Sequence, residues 1–220
     1  MDPEQQLPSP REVKNAAIAQ LAQAFSNPVR VALVGVLAQG EFSVDVLAGK
    51  VGQTRANTSA QLRALQGAEV VQSRREGRRV LYRLASPAIR RLFRGLQDAA
   101  ASSQPSLRDL LRDYYEREDP GQPPLSEIVT QLSAGRAVLL DLRPPDEREQ
   151  LPLPGAREIP AEALEAQLKR LPRRKRIYVV CRGPYCVLAA EGTRLLRASG
   201  RRVWNVFASP RELIEAGLGA

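Results

Sequence analysis

At 220 residues and 24.2 kDa, the chain exceeds the commonest single-domain size and has length for two modest cores. Its 43% hydrophobic and 26% charged residues exclude a fibrous or wholly disordered chain. The 33 Lys/Arg against 24 Asp/Glu leave +9, which points to a polyanionic partner, and the absence of histidine excludes triad, Cys/His and His-ligated metal chemistry. Two cysteines, Cys181 and Cys186, are too few for a thiolate zinc site or a disulfide-scaffolded secreted domain, so neither a metal nor a cofactor is expected. The first ten residues are acidic and proline-bearing, unlike a signal peptide, and no 18-residue apolar run occurs. A cytoplasmic protein with no membrane partner is the expectation.

In the first half, Val13, Ala17, Ile18, Leu21 and Phe25 fall at helical spacing, and Val31, Val34, Val36 and Leu37 continue it between Asn27-Pro28 and Gly40. Ser43 can cap a short helix that runs through Lys50, Gly52 turns the chain, and Thr54 can cap a helix to about Gln66. The period then shortens: residues 70–74 and 79–84 read as strands around the turn signal Glu76-Gly77. A last helix is predicted over residues 87–101, and it resumes after Pro105 over residues 106–115. Residues 116–124 are acidic and rich in proline, which makes them a linker. The expected division is 1–101, a connecting stretch 102–124, and 125–220.

The second half alternates. Helical patterns over 125–134, 161–171 and 187–199 and from 210 onward separate strand patterns at 137–142, 177–180 and 203–207. That order implies an α/β fold with a central parallel sheet flanked by helices.

Basic residues are in surplus in both halves, with 14 Lys/Arg against 8 Asp/Glu in residues 1–100 and 16 against 11 in residues 125–220. In the first half they gather on the elements that would meet DNA. Helix, tight turn, helix and basic hairpin compose a mainly α winged helix-turn-helix, whose second helix enters the major groove. The candidate recognition helix carries Arg55, Asn57, Thr58, Ser59, Gln61 and Arg63, and the wing carries Arg74, Arg75, Arg78, Arg79 and Arg83. Over roughly residues 16–97 the sequence resembles the ArsR family of bacterial regulators. The resemblance rests on Phe25-Ser26-Asn27-Pro28-Val29-Arg30, on residues 42–48, on the helix 56–65 and on residues 73–84. It implies a homodimer, paired through its first and last helices, that represses from a palindromic double-stranded operator until an inducer releases it. Family members that sense metals use cysteine or histidine, and this half has neither.

Ile177-Tyr178-Val179-Val180 leads into Cys181-Arg182-Gly183-Pro184-Tyr185-Cys186 and then a helix. Strand, loop and helix N-terminus lower a thiol pKa and favour a nucleophilic thiolate; a small apolar cysteine ending a strand is the plainer reading. Over roughly residues 125–219 the chain resembles a rhodanese (sulfurtransferase) domain, through residues 138–143, Leu153-Pro154-Gly155-Ala156 and the cysteine loop. The resemblance implies that Cys181 takes sulfur from a sulfane-sulfur donor as a persulfide and passes it to a thiol acceptor. Arg182, Gly183, Pro184 and Tyr185 would cradle the anion, with Asp141 and Arg143 supporting the site. Cys186 either resolves the persulfide or packs the loop. Gln150-Leu151-Pro152 and Ala208-Ser209-Pro210 depart from the family pattern, and valine at 187 disfavours a phosphatase or arsenate reaction, which needs an arginine there. The combination implies a transcriptional regulator that senses or processes reactive sulfur. The alternatives are a sulfurtransferase with an independently autoregulating DNA-binding half, or an inactive rhodanese fold used for interaction.

Overall fold

The computed structural model describes residues 9–107, 109–110 and 123–219, and the chain divides into two compact units that part between Arg94 and Gly95.

In the first unit, Ser9 and Glu12 form a reciprocal capping box at the start of α1 (Pro10–Ala24). Asn27 Oδ1 accepts from the amides of Val29 (2.8 Å) and Arg30 (3.2 Å) to start α2 (Pro28–Leu37), with Pro28 at its first position. Arg30 reaches back to close α1: its Nε donates to Ala24 O (2.6 Å) and its Nη2 to Gln23 O (2.8 Å). β1 (Phe42–Ser43) leads into α3 (Val44–Val51), which ends at Gly52 in the left-handed region (φ 63°), where a Cβ would be strained. Thr54 Oγ1 accepts from the Asn57 amide (3.2 Å) at the head of α4 (Arg55–Gly67). β2 (Val71–Glu76) and β3 (Arg79–Leu84) form the antiparallel hairpin, with Glu76 opposite Arg79. β1 adds a third strand through Phe42↔Tyr82; two residues are too few to show a period in sequence. Leu33, Leu37, Leu47, Leu62, Leu65 and Val70 form the core, joined by Ile89 and Phe93 from α5 (Pro87–Ser103). Val31, expected on the buried face of α2, is exposed, and Leu33 takes its place in the core.

The second unit begins inside α5, earlier than the division at residue 101 that the linker suggests. Ala101 on its last turns clusters with Ala190 and with Leu107, Tyr185 and Phe207. Residues 105–107 and 109–110 are helical, while the rest of the expected helix and residues 116–122 of the linker lie outside the described residues. The remaining elements are α6 (Leu125–Ser133), β4 (Ala137–Asp141), α7 (Pro145–Gln150), β5 (Arg157–Glu158), α8 (Leu164–Gln167), β6 (Arg176–Val180), α9 (Val187–Ala198), β7 (Val203–Asn205) and α10 (Pro210–Glu215). The sheet is wholly parallel in the order β5-β4-β6-β7.

Alternate residues feed two cores. Leu139, Tyr178 and Val180 pack with Ile128 of α6 and Leu213 of α10, and Leu140, Ile177 and Val179 pack with Leu164 of α8 and Leu196 of α9. A Cβ on Gly192 would lie 2.3 Å from Leu142 Cδ1 and 3.2 Å from Leu164 Cδ2, so any larger residue would push these buried leucines aside. The single helix expected over 161–171 is instead a four-residue α8 between two 3₁₀ turns. The Ser209 side chain caps α10 in a capping box with Glu212, which gives the departure at Ala208-Ser209-Pro210 a local structural use.

Candidate functional site

β6 ends at Val180, and the backbone enters the cysteine loop at the carboxyl edge of the parallel sheet, where α/β folds place their ligands. Cys181 continues the alternation of Ile177 and Val179 and is fully buried among Leu140, Leu142, Val179 and Ala189. Cys186 is the N-cap residue of α9 and only half-buried. The loop closes through Cys186 N donating to Gly183 O (3.2 Å), and the two Sγ atoms lie 2.6 Å apart.

At that separation the thiols titrate as a pair. The neighbouring Cys186 thiol and burial push Cys181 far up, so the last proton stays there. The Cys181 thiol, with the amides of Arg182 and Ala189 and the Arg182 charge, brings Cys186 down to about 6.

The other expected site residues take different parts. Asp141 and Arg143 are buried against each other: Arg143 Nη2 donates to Asp141 Oδ2 (2.6 Å) and its Nε to both carboxylate oxygens (3.0 and 3.1 Å). Arg143 also donates to Leu151 O (2.7 Å) and Glu147 O (3.5 Å), tying down the middle and the end of the 144–151 segment. They act as scaffold beside the loop, because every hydrogen bond described for the two side chains is internal to this segment. Arg182, expected to hold a substrate anion, turns its guanidinium onto the fully buried carboxylate of Glu147, with Nη2–Oε1 2.6 Å and Nε–Oε2 2.9 Å. Glu147 raises the Arg182 pKa. Pro184 is buried, and Tyr185 Oη donates to Asp98 Oδ1 (2.9 Å) at the start of this unit.

Glu147 is the residue that sequence reasoning misses. Pro145-Asp146-Glu147-Arg148-Glu149-Gln150 reads as a solvated polar face, and its one signal is the four-residue spacing from Arg143.

On the first unit, Arg55 and Arg63 are exposed on α4, and Asn57, Ser59 and Gln61 are half-buried. Asn57 Nδ2 donates to Gln53 Oε1 (2.7 Å), Gln61 Nε2 to Asn57 Oδ1 (3.2 Å), and Arg30 Nη1 to Gln61 Oε1 (3.4 Å), a ladder that sets the amide side chains before any partner arrives. Arg55 pairs with Asp45 at 3.3 Å. Thr58, expected on the outward face, is instead fully buried on the face of Leu62 and Leu65, at i+4 and i+7. On the wing, Arg75, Arg78 and Arg79 are exposed, whereas Arg74 is held by Glu41 (2.7 Å) and Glu76 (2.9 Å), and Arg83 by Glu41 (3.3 Å). No helix among the described residues is long and apolar enough to cross a membrane.

A three-helix core with a basic hairpin, followed by a parallel α/β domain with a cysteine loop at its strand ends, defines a winged helix-turn-helix protein joined to a rhodanese-type domain. Comparison with known proteins agrees with both halves. A family model described as Rhodanese-like domain matches residues 125–208. The chain is 33% identical over 201 residues, 91% of its length and 88% of the relative's, to the HTH-type transcriptional regulator Rv0324 of Mycobacterium tuberculosis. It is also 38% identical over 92 residues, 41% of its length and 79% of the relative's, to the biofilm growth-associated repressor of Agrobacterium fabrum. A solution NMR structure of the homodimeric winged helix-turn-helix DNA-binding domain of Mb0332 from Mycobacterium bovis is 31% identical. That likeness covers 46% of this chain and 94% of that one, with a TM-score of 0.43. The chain belongs to the ArsR family of winged helix-turn-helix transcriptional regulators and carries a C-terminal rhodanese-like domain.

Proposed function

We propose that this regulator is a cytoplasmic repressor that binds a palindromic operator as a homodimer, and that its rhodanese loop takes up reactive sulfur as a persulfide on the Cys181–Cys186 pair. The sulfur state sets operator affinity. One observation carries the reading: the chain's two thiols lie 2.6 Å apart at the head of α9, in a regulator whose DNA-binding half contains no cysteine or histidine through which to receive an inducer. Dimerisation is supported by apolar side chains exposed on α1 (Val13, Ile18) and α5 (Leu92, Leu96). DNA binding draws on Arg55, Asn57, Ser59, Gln61 and Arg63 of α4 and on Arg75, Arg78 and Arg79 of the wing.

The test is an operator titration, before and after inorganic polysulfide or thiosulfate, beside intact-mass analysis of the same sample. Affinity should change when sulfur is gained, and the change should vanish in Cys181→Ser and Cys186→Ser. Operator affinity indifferent to sulfur, together with steady turnover of thiosulfate, would instead favour the sulfurtransferase with an independent DNA-binding half.

A further inference from the structure

The basic surplus of residues 125–220, 16 Lys/Arg against 11 Asp/Glu, is larger than the thiol loop and its scaffold use. In a parallel sheet every strand starts on the same edge, so the residues that precede the strands meet there. Arg136 precedes β4, residues 173–176 lead into β6, and Arg202 precedes β7. The register sets them side by side, with Ala137 opposite Arg176 and Ile177 opposite Val203. Lys175 Nζ donates to Gly135 O (2.8 Å) and Ile177 N to Arg202 O (2.9 Å), which ties the three strand entrances together.

Arg136, Arg173, Arg174 and Arg202 are exposed on this edge, and among the described residues no carboxylate pairs with them. The segments 133–138, 166–177 and 192–208 contain no Asp or Glu. They expose no large apolar side chain either, since Trp204 is half-buried with the Arg176 guanidinium 5.2 Å from its ring. An edge that offers charge alone has no anchor for a protein hot spot or for an acyl chain, whereas guanidinium forks match phosphate oxygens. β6 is five residues long, so roughly 15 Å of strand separates this edge from the cysteine loop.

We propose that the amino edge of the rhodanese sheet is a second DNA-contacting surface, which takes backbone phosphates of the duplex flanking the operator and reads no base sequence. The inference rests on operator binding by the first unit and goes beyond it. The edge belongs to the same chain as α4 and the wing, so duplex held by the first unit is offered to it at raised local concentration. Phosphates neutralised there release counterions, so the affinity gained depends on salt and on flank length.

The test lets the full chain select its operator from random-sequence DNA. That operator is then made as a trimmed duplex and with about 20 bp, two helical turns, of unrelated sequence on each side. Fluorescence anisotropy against salt compares the wild type with a variant carrying Arg136→Ala, Arg173→Ala, Arg174→Ala and Arg202→Ala. On the flanked duplex the variant should bind about tenfold more weakly at physiological salt, with a log–log slope shallower by about 0.9 for each phosphate no longer neutralised. On the trimmed duplex the two should bind alike. Equal affinity and slope on the flanked duplex overturn the proposal, and so does an equal loss on both duplexes, the signature of lowered net charge. An unchanged DNA slope beside lost binding to vesicles of phosphatidylglycerol in phosphatidylcholine assigns the edge to a lipid surface and overturns it too. A wild type that selects no operator overturns the DNA-binding reading itself, which separates the two failures. The four side chains are exposed, so the melting temperature should match that of the wild type. Arg173→Ala with Arg174→Ala alone should give an intermediate slope, and it carries the test if the fourfold variant melts early.

Discussion

Glu147 and Arg182 show how much of the loop depends on one buried carboxylate. Arg182 is 30% exposed and Glu147 is not exposed at all, so Glu147→Ala would leave a guanidinium partly desolvated without its counter-charge. A loss of roughly 2–3 kcal/mol in urea denaturation is expected, below that of a fully buried pair because water reaches Arg182. Thr58→Val runs the other way: the Thr58 hydroxyl is buried without a hydrogen-bond partner, so removing it should leave stability unchanged or raise it by about 1 kcal/mol, with operator affinity intact. A marked fall in affinity would return Thr58 to the DNA face. For the thiol pair, alkylation by iodoacetamide depends on the thiolate, so its rate should rise with pH through about 6, well below an ordinary cysteine. Cys181→Ala removes the neighbouring thiol that lowers the Cys186 pKa. The midpoint should then move upward, toward the ordinary range, in the same rate profile.

At the scale of elements, the exposed arginines of the wing differ in their ion pairs: Arg74 and Arg83 pair with Glu41, whereas Arg75 donates to the Gly77 carbonyl of the turn. Operator affinity measured against salt concentration should flatten when Arg75, Arg78 and Arg79 are replaced by alanine, by about 0.9 in log–log slope for each phosphate that is no longer neutralised. Arg74→Ala should change the slope little, because Glu41 and Glu76 already neutralise its charge. Equal effects at all four positions would show that these ion pairs open on DNA. The capped helices were legible in sequence because their signals are local: Asn27-Pro28, Ser43, Thr54 and Gly52 each act within four residues. α7 and β5 were not. Pro145 opens a helix of six residues, too short to show a helical period, and two strand residues carry no period either.

Across the whole chain, two compact units, each with its own apolar packing, predict two unfolding transitions in calorimetry, with a van't Hoff enthalpy below the calorimetric one. Leu62→Ala should lower one transition and Ile177→Ala the other, each by about 3 kcal/mol, since both side chains are fully buried. A single shared transition would show that α5, whose Phe93 belongs to one core and whose Ala101 packs in the second unit, makes unfolding cooperative. The amino-acid order by itself determined the two-part architecture, the recognition helix and wing, and the position of the thiol pair, because periodicity, capping and turn chemistry act over short stretches. Only the tertiary structure decided which side chains remain available within those elements. It buried Thr58 and Cys181, turned Arg182 onto Glu147 and made Asp141 and Arg143 a scaffold, because burial and ion pairing depend on residues that packing brings together from distant parts of the chain.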